Sequence, residues 1–371
     1  MEQERGVAGI DPHKNTATIA VLDRRGGLVD NKSFPITEDG IDELLTFLLG
    51  IELMIDRIGI EGSGFLGRPL VLALVAAGYD VREVQANRTA ERRKRRRRAK
   101  TDAEDAEAIA RETLSDPQLP PAGKHCALSP DVWQALTVVR DWRASLVLQR
   151  VRLLTESEAV LVTLPISIRC ALPSTSRVLP QLQALAAGVA HPGTLGPAER
   201  LKLERLAASL SDITTLTARI KELDRQIPAA LGELGCTLTE LCGVGVVTAM
   251  DLLVEIGDPC RFATEAQFAR WCGIAPVALS SGEGHGPARR HRLDLGGNRA
   301  VNSVLHIVHV TQVRCHPPAK DYMTKRLAEN KTKRQARRSH KRHLANIIIR
   351  HMWTDAKRLT AAASAHSPST P

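Results

Sequence analysis

Strand signals stop at about residue 127 of this 371-residue chain, and that change of pattern constrains the fold more than any other feature. Before it, β-branched runs alternate with helical ones. "GVAGID" and "TATIAVLD" flank a polar turn and predict a hairpin of two strands, and "LVDNKSFPI" predicts a third. "EDGIDELLTFLLG" predicts a helix stopped at Gly50. "RIGIEGSG" reads as a buried strand entering a glycine-rich loop, followed by the helix "RPLVLALVAAG" and the strand "DVREVQ". "TDAEDAEAIARETL" opens on Thr101, a good N-cap, and continues on strong helix formers. A hairpin followed by alternating strands and helices predicts a mixed sheet flanked by helices over residues 1–115.

Beyond the change the pattern is helical. Val139, Leu146, Leu153 and Val160 fall seven apart in a long helix that Pro165 should end. Leu206, Ile213, Ile220 and Ile227 repeat the spacing, with Leu216 and Leu223 at the matching d positions. Sustained heptads predict a coiled-coil pair over 127–232. Between the two runs, about 165–197, a Pro/Ala-rich stretch reads as a loop or weak helix. Residues 233–355 read as all-helical with glycine-rich interruptions, and 356–371 as a disordered low-complexity tail.

Charge narrows the partner. Lys and Arg number 51 against 41 Asp and Glu, a net charge of +10, which favours nucleic acid or an anionic surface. No stretch of about eighteen apolar residues is present, so no membrane span is expected. The N-terminus lacks an apolar signal core, so a cytoplasmic protein is expected. Seven cysteines are scattered without C-x-x-C spacing, which points away from a disulfide framework or zinc site. Aromatic residues make up 3% of the chain, which argues against a platform for stacking single strands.

The basic run Arg92, Arg93, Lys94, Arg95, Arg96, Arg97 and Arg98 leads straight into Asp102, Glu104, Asp105 and Glu107. Carboxylates repel phosphate, and a divalent cation would invert that repulsion. Asp102 and Asp105, three apart, share one helix face. Asp11 and Glu61 each follow apolar strand residues, where an unpaired charge is costly. Strand ends and a helix start converge in such sheets. Four hard oxygen donors suit Mg²⁺ or Mn²⁺. Alone, a D-x-x-D pair is ordinarily a solvated helix start.

"GIDPHKNTATIAVLD", "IGIEGSG" and "KTDAEDAEAIAR" resemble the DEDD transposases of insertion-sequence family 110. Asp11, Glu61, Asp102 and Asp105 correspond to that family's tetrad. The resemblance implies an RNase H-like (RuvC-like) first domain, as in Holliday-junction resolvases. The segment from Leu241 to Leu305, with "GIAP", "SSG" and "GGNR", is similar to the family's second signature domain. Its required serine maps onto Ser281; Ser280 fills the more variable preceding place. By itself, a serine pair in a glycine-rich loop is ordinarily a turn. The resemblance further implies a bacterial, nucleoid-associated recombinase acting on donor and target DNA with a bridge RNA. It also implies a homo-oligomer, a dimer or tetramer, with a composite active site and a covalent phosphoserine intermediate.

Other stretches fit nucleic acid less specifically. Gly243 and Gly245 form a G-V-G turn between two expected helices, where backbone N–H groups can hold a phosphate; a plain αα-hairpin explains the same residues. Eleven Lys or Arg lie between Lys320 and Arg350. Lys331, Lys333, Arg334, Arg337 and Arg338 are the densest of them and suit backbone contact. His285, His291, His306 and His309 have no metal-ligand spacing and receive no chemistry. The alternatives are a structure-specific nuclease using the acids alone, and a non-catalytic nucleic-acid-binding protein. A tyrosine recombinase does not fit, because Tyr322 precedes the basic "HKRH" segment.

Overall fold

The computed structural model describes residues 4–64, 66–85, 101–123, 130–188, 195–279, 290–293 and 297–366. The chain divides into two units, Met1–Pro130 with Leu234–Pro371, and Asp131–Glu233.

The first unit holds a five-stranded sheet of β1 (Arg5–Pro12), β2 (Thr16–Asp23), β3 (Leu28–Pro35), β4 (Met54–Glu61) and β5 (Val81–Val84) in the order β3-β2-β1-β4-β5. β1, β2 and β3 are antiparallel neighbours, whereas β1 with β4 and β4 with β5 are parallel. The mixed sheet followed by helices fits the RNase H-like expectation. Alternation along β1 sorts its side chains by face. Ala8 and Ile10 pack with Leu44 and Leu48 of α1 (Glu38–Gly50) and with Leu70 and Leu74 of α2 (Arg68–Ala76). Val7 instead joins Leu22, Ala110 and Leu114 of α3 (Asp102–Ser115). Thr101 caps α3 by accepting from the Glu104 N–H at 3.3 Å.

Two glycines let α3 lie directly on the sheet. Gly9 pairs with Gly59 across the β1–β4 ladder. A Cβ at Gly9 would collide with the backbone of Ala106 and Ala110, and one at Gly59 with the Thr113 hydroxyl. On the same faces, two residues further along, stand Asp11 and Glu61. The glycine pair therefore sets the height of α3 over the strands that carry the first two acids.

The Leu234–Pro371 part continues with α8 (Val246–Ile256), α9 (Glu265–Trp271), α10 (Arg299–Cys315), α11 (Pro317–Ala328) and α12 (Lys333–His366). Three expectations are corrected here. A two-stranded antiparallel sheet of β6 (Pro276–Leu279) and β7 (Arg290–Leu293) interrupts the helices, so this part is not all-α. Strands of four residues are too short to show a period against the glycine-rich stretch between them. The segment before Gly243 is only a 3₁₀ turn, Leu238–Glu240, not a helix. Helix α12 runs to His366, so the 356–371 stretch assigned to a disordered tail is helical over 356–366. Its alanines are good helix formers, and low complexity obscured that.

A polar seam joins this part to the sheet domain. Arg261 donates through Nη1 to Glu83 Oε2 at 2.7 Å and to the Pro121 carbonyl at 3.0 Å. Its guanidinium lies over the Phe262 and Trp271 rings. Arg270 clasps both oxygens of Asp116, at 2.8 and 3.2 Å. Gln85 donates to the Trp271 carbonyl, which also accepts the Asn298 N–H at 2.7 Å.

The second unit packs α4 (Pro130–Leu161) against α7 (Pro197–Glu233). Leu146 meets Leu216, Ile220 and Leu223, while Leu206 and Ile213 join Leu161 and Leu164. Arg143 pairs with Asp224 at 2.5 Å. The heptad positions thus pack within this unit. The 165–197 stretch forms two short helices, α5 (Ile166–Ala171) and α6 (Val178–Ala186), and Pro165 starts the first of them rather than ending α4. Pro is tolerated before a first turn because the N–H it lacks is unpaired there anyway.

Candidate metal centre

Asp11 ends β1, Glu61 ends β4, and Asp102 and Asp105 open α3. Asp102, Ala106 and Ala110 lie four apart on one stripe of α3, and the two alanines ride on Gly9. That stripe carries Asp102 to Asp11. Donor atoms of Asp11, His13 and Asp102 all lie within 4.8 Å of one another.

The electrostatics tie the four acids together. The Asp11 carboxyl is pushed up to about 6, first by burial and further by the charges of Asp105, Glu61 and Asp102, with His13 pulling the other way. Burial of a carboxylate, reinforced by like charges around it, produces this shift. His13 was missed in the sequence, although "DPHK" places it two residues after Asp11. Its Nε2 lies 3.4 Å from Asp11 Oδ2 and 3.2 Å from Asp102 Oδ1. That atom is buried and has no hydrogen-bond partner.

An imidazole nitrogen set between two carboxylates, with Glu61 and Asp105 acting on the same centre, is a donor set that fits a divalent cation. Carboxylate oxygens with one imidazole suit a hard divalent ion. The arrangement can bind such an ion and, through it, a phosphate.

Two family models match this chain. The DEDD model of IS110 elements, described as "Transposase", matches residues 8–165. A second, described as "Transposase IS116/IS110/IS902 family", matches residues 236–324. The chain belongs to the IS110 family of transposases. It is similar to an uncharacterised protein of insertion element IS110 from Streptomyces coelicolor, 34% identical over 129 residues, covering 34% of this chain and 31% of the relative. It is also similar to a probable family 20 transposase from Pseudomonas aeruginosa, 29% identical over 219 residues, 58% of this chain and 60% of the relative. Both alignments span less than two thirds of the relative's own length.

The remaining site expectations of this family member are spread more widely. Ser281, its neighbour Ser280 and the basic run Arg92 to Arg98 lie outside the described residues. Gly243 has a φ of +83°, which favours glycine, and Gly245 caps the start of α8 without a side-chain acceptor. Lys333, Arg334 and Arg337 are exposed near the start of α12, with Arg338 half-buried. Lys331 pairs with Glu329 at 3.2 Å. No helix among the described residues is long and apolar enough to cross a membrane.

Proposed function

We propose that this protein is a site-specific DNA recombinase that moves an insertion sequence, guided by a bridge RNA. The observation that carries the reading is the gathering of Asp11, Glu61, Asp102 and Asp105 at one end of the sheet. In this reading the four acids hold Mg²⁺ or Mn²⁺, with His13 as a nitrogen donor beside them. When bound, such an ion neutralises phosphate oxygens and the charge developing on attacking and leaving oxygens. The protein's own groups orient the strand and supply the nucleophile.

Ser281 Oγ forms a bond to the DNA phosphorus while the bond from phosphorus to the deoxyribose oxygen breaks. The hydroxyl proton passes to solvent, and the departing oxygen takes one up. The phosphoserine ester keeps one phosphate ester bond for each broken, so a second strand's hydroxyl can reverse the step without further energy. Gly282, directly after Ser281, allows close approach of a strand. Arg92 through Arg98, the Gly243–Gly245 turn and Lys331, Lys333, Arg334, Arg337 and Arg338 hold the nucleic-acid backbone. The working form is a dimer or tetramer that joins the acid site of one copy to the serine of another.

The test combines metal binding with adduct trapping. Asp102→Asn should weaken Mn²⁺ binding by calorimetry and abolish recombination while the fold persists. Ser281→Ala should lose the covalent protein–DNA adduct on denaturing gels, and Ser280→Ala should keep it. Cutting that survives in Ser281→Ala identifies instead a nuclease that uses water. Recombination by RNase-treated protein with no RNA restored removes the bridge RNA from the proposal.

A further inference from the structure

Helices α10, α11 and α12 and the turn before α8 enclose a cleft of about 380 Å³. The scarcity of Phe, Trp and Tyr hides what gathers there, because most of its rings are imidazoles. Tyr322 and His343 lie nearly parallel, 9° apart with centroids at 5.9 Å. Tyr322 is also 5.4 Å from His340, whose ring stands 5.0 Å from His309. Val308, Leu344 and Ile348 line the apolar wall, and Glu240 and Gln312 add polar groups.

Cations stand at its rings. The Arg326 guanidinium lies 5.0 Å over the Tyr322 ring, and Arg337, exposed on α12, acts electrostatically on His309. The nearby carboxylate of Glu329 is already engaged by Arg326 and Lys331. The combination of flat rings, an apolar wall, a few polar groups and surrounding cations has one well-matched ligand chemistry. Bases stack on such rings in a sequence-tolerant way, and phosphates take the cations.

We propose that this cleft receives a single unpaired nucleotide of the bound nucleic acid, its base stacked beside Tyr322 and His343 and its phosphate on Arg326 and Arg337. The proposal rests on the nucleic-acid reading above and adds a second contact to it, separate from the acid centre. The volume lies near the lower end of ligand pockets, roughly 300–1,000 Å³, which suits one nucleotide and no more. A paired base is held in its duplex stack and enters only after unpairing, so the cleft selects single strands.

The inner imidazoles suit this role. His309 and His340 bond through their Nδ1 atoms at 3.0 Å, so one ring donates and the other accepts. Burial and neighbouring imidazoles push both down to about 4, with Arg337 and Lys341 contributing at His309. They are neutral at physiological pH, and the tautomer of one fixes that of the other. Glu240 can accept from an exocyclic amine.

The full-length protein would be titrated with a single-stranded RNA, a single-stranded DNA of the same sequence and the matching duplex DNA. Tyr322→Leu should weaken single-strand binding about tenfold, the range of one lost base stack. Duplex binding should stay unchanged, and Tyr322→Phe should retain wild-type affinity. His343→Ala, at an exposed position, keeps the test open if Tyr322→Leu melts early; it should weaken single strands about threefold. Whichever single strand shows the loss identifies the source as RNA or DNA. A photo-crosslink from a 5-iodouracil oligonucleotide should map to α11 or α12. Unchanged single-strand affinity in both variants, or equal losses for duplex, overturns the cleft while leaving the preceding function standing. Wild-type protein that binds none of the three overturns both.

Discussion

The carboxylates around Asp11 are carried by two adjacent strands and the helix lying on them, whereas the imidazoles around His340 are brought together from helices. Both clusters gather groups of one kind that disfavour their own charged form. At Asp11, burial and three carboxylates raise the pKa. At His309 and His340, burial lowers it first and neighbouring imidazoles next, with Arg337 and Lys341 adding to the shift at His309. One cluster gathers negative charge, and the other gathers neutral rings. The difference teaches how each is held in place. Strand register and the Gly9–Gly59 pair fix the acids from beneath, while the imidazoles depend on side-chain packing between the successive helices α10, α11 and α12.

The largest expected effect comes from cutting the seam that joins the two regions. Glu83→Ala leaves Arg261 buried without its carboxylate, which should cost about 3–5 kcal/mol. Thermal unfolding would show whether both regions fall together. A single shifted transition makes the clusters parts of one cooperative body, and a separate early transition divides them.

Gly9→Ala attacks the acid cluster through its support. The new methyl meets the α3 backbone at Ala106 and Ala110, so the helix must lift, at a cost of about 2–3 kcal/mol. Mn²⁺ affinity should drop with the stability, because Asp102 moves with α3. Unchanged affinity in calorimetry would show that the acids do not depend on the glycine pair.

Acid tests the imidazole cluster. The folded pKa of His309 and His340 lies near 4, below the ordinary value of 6.5. The unfolded chain therefore binds protons first, and stability is full above about 6.5 and lost as pH falls toward 4. Chemical denaturation should show a loss on the order of 2 kcal/mol between pH 7 and pH 5. A flat profile would mean the pair is solvated.

The smallest effect has the opposite sign. Asp11 is raised to about 6 from 3.8, so the folded state binds the extra proton, and metal-free protein gains stability as pH falls from 6 toward 4. Asp11→Asn should accordingly stabilise the metal-free protein at pH 7, by on the order of 1 kcal/mol after discounting for partial exposure. A destabilised variant would show that Asp11 is a paired structural acid, which would erase the contrast between the clusters.

Much of the sheet domain was legible because its signals are local. Alternation in "GVAGID", the Thr101 cap and the i, i+3 spacing of Asp102 and Asp105 act within a few residues, and each element forms where they point. His13 was within reach of the same reading, two residues past Asp11, but a lone histidine carries no signal until its Nε2 is seen between two carboxylates. The β6–β7 pair escaped because four-residue strands show no period. The heptads correctly marked the faces that α4 and α7 bury.

By itself, then, the sequence determined the order of strands and helices, the apolar faces of each, and the acids that stand at strand ends. Those follow from backbone geometry, which acts over neighbouring residues. Only the tertiary structure decided that Glu83 meets Arg261, that Gly9 and Gly59 let α3 descend onto the sheet, and that Tyr322, His340 and His343 share one cleft. These contacts join residues up to 178 positions apart, and their energy comes from burial and close packing, which no local pattern encodes.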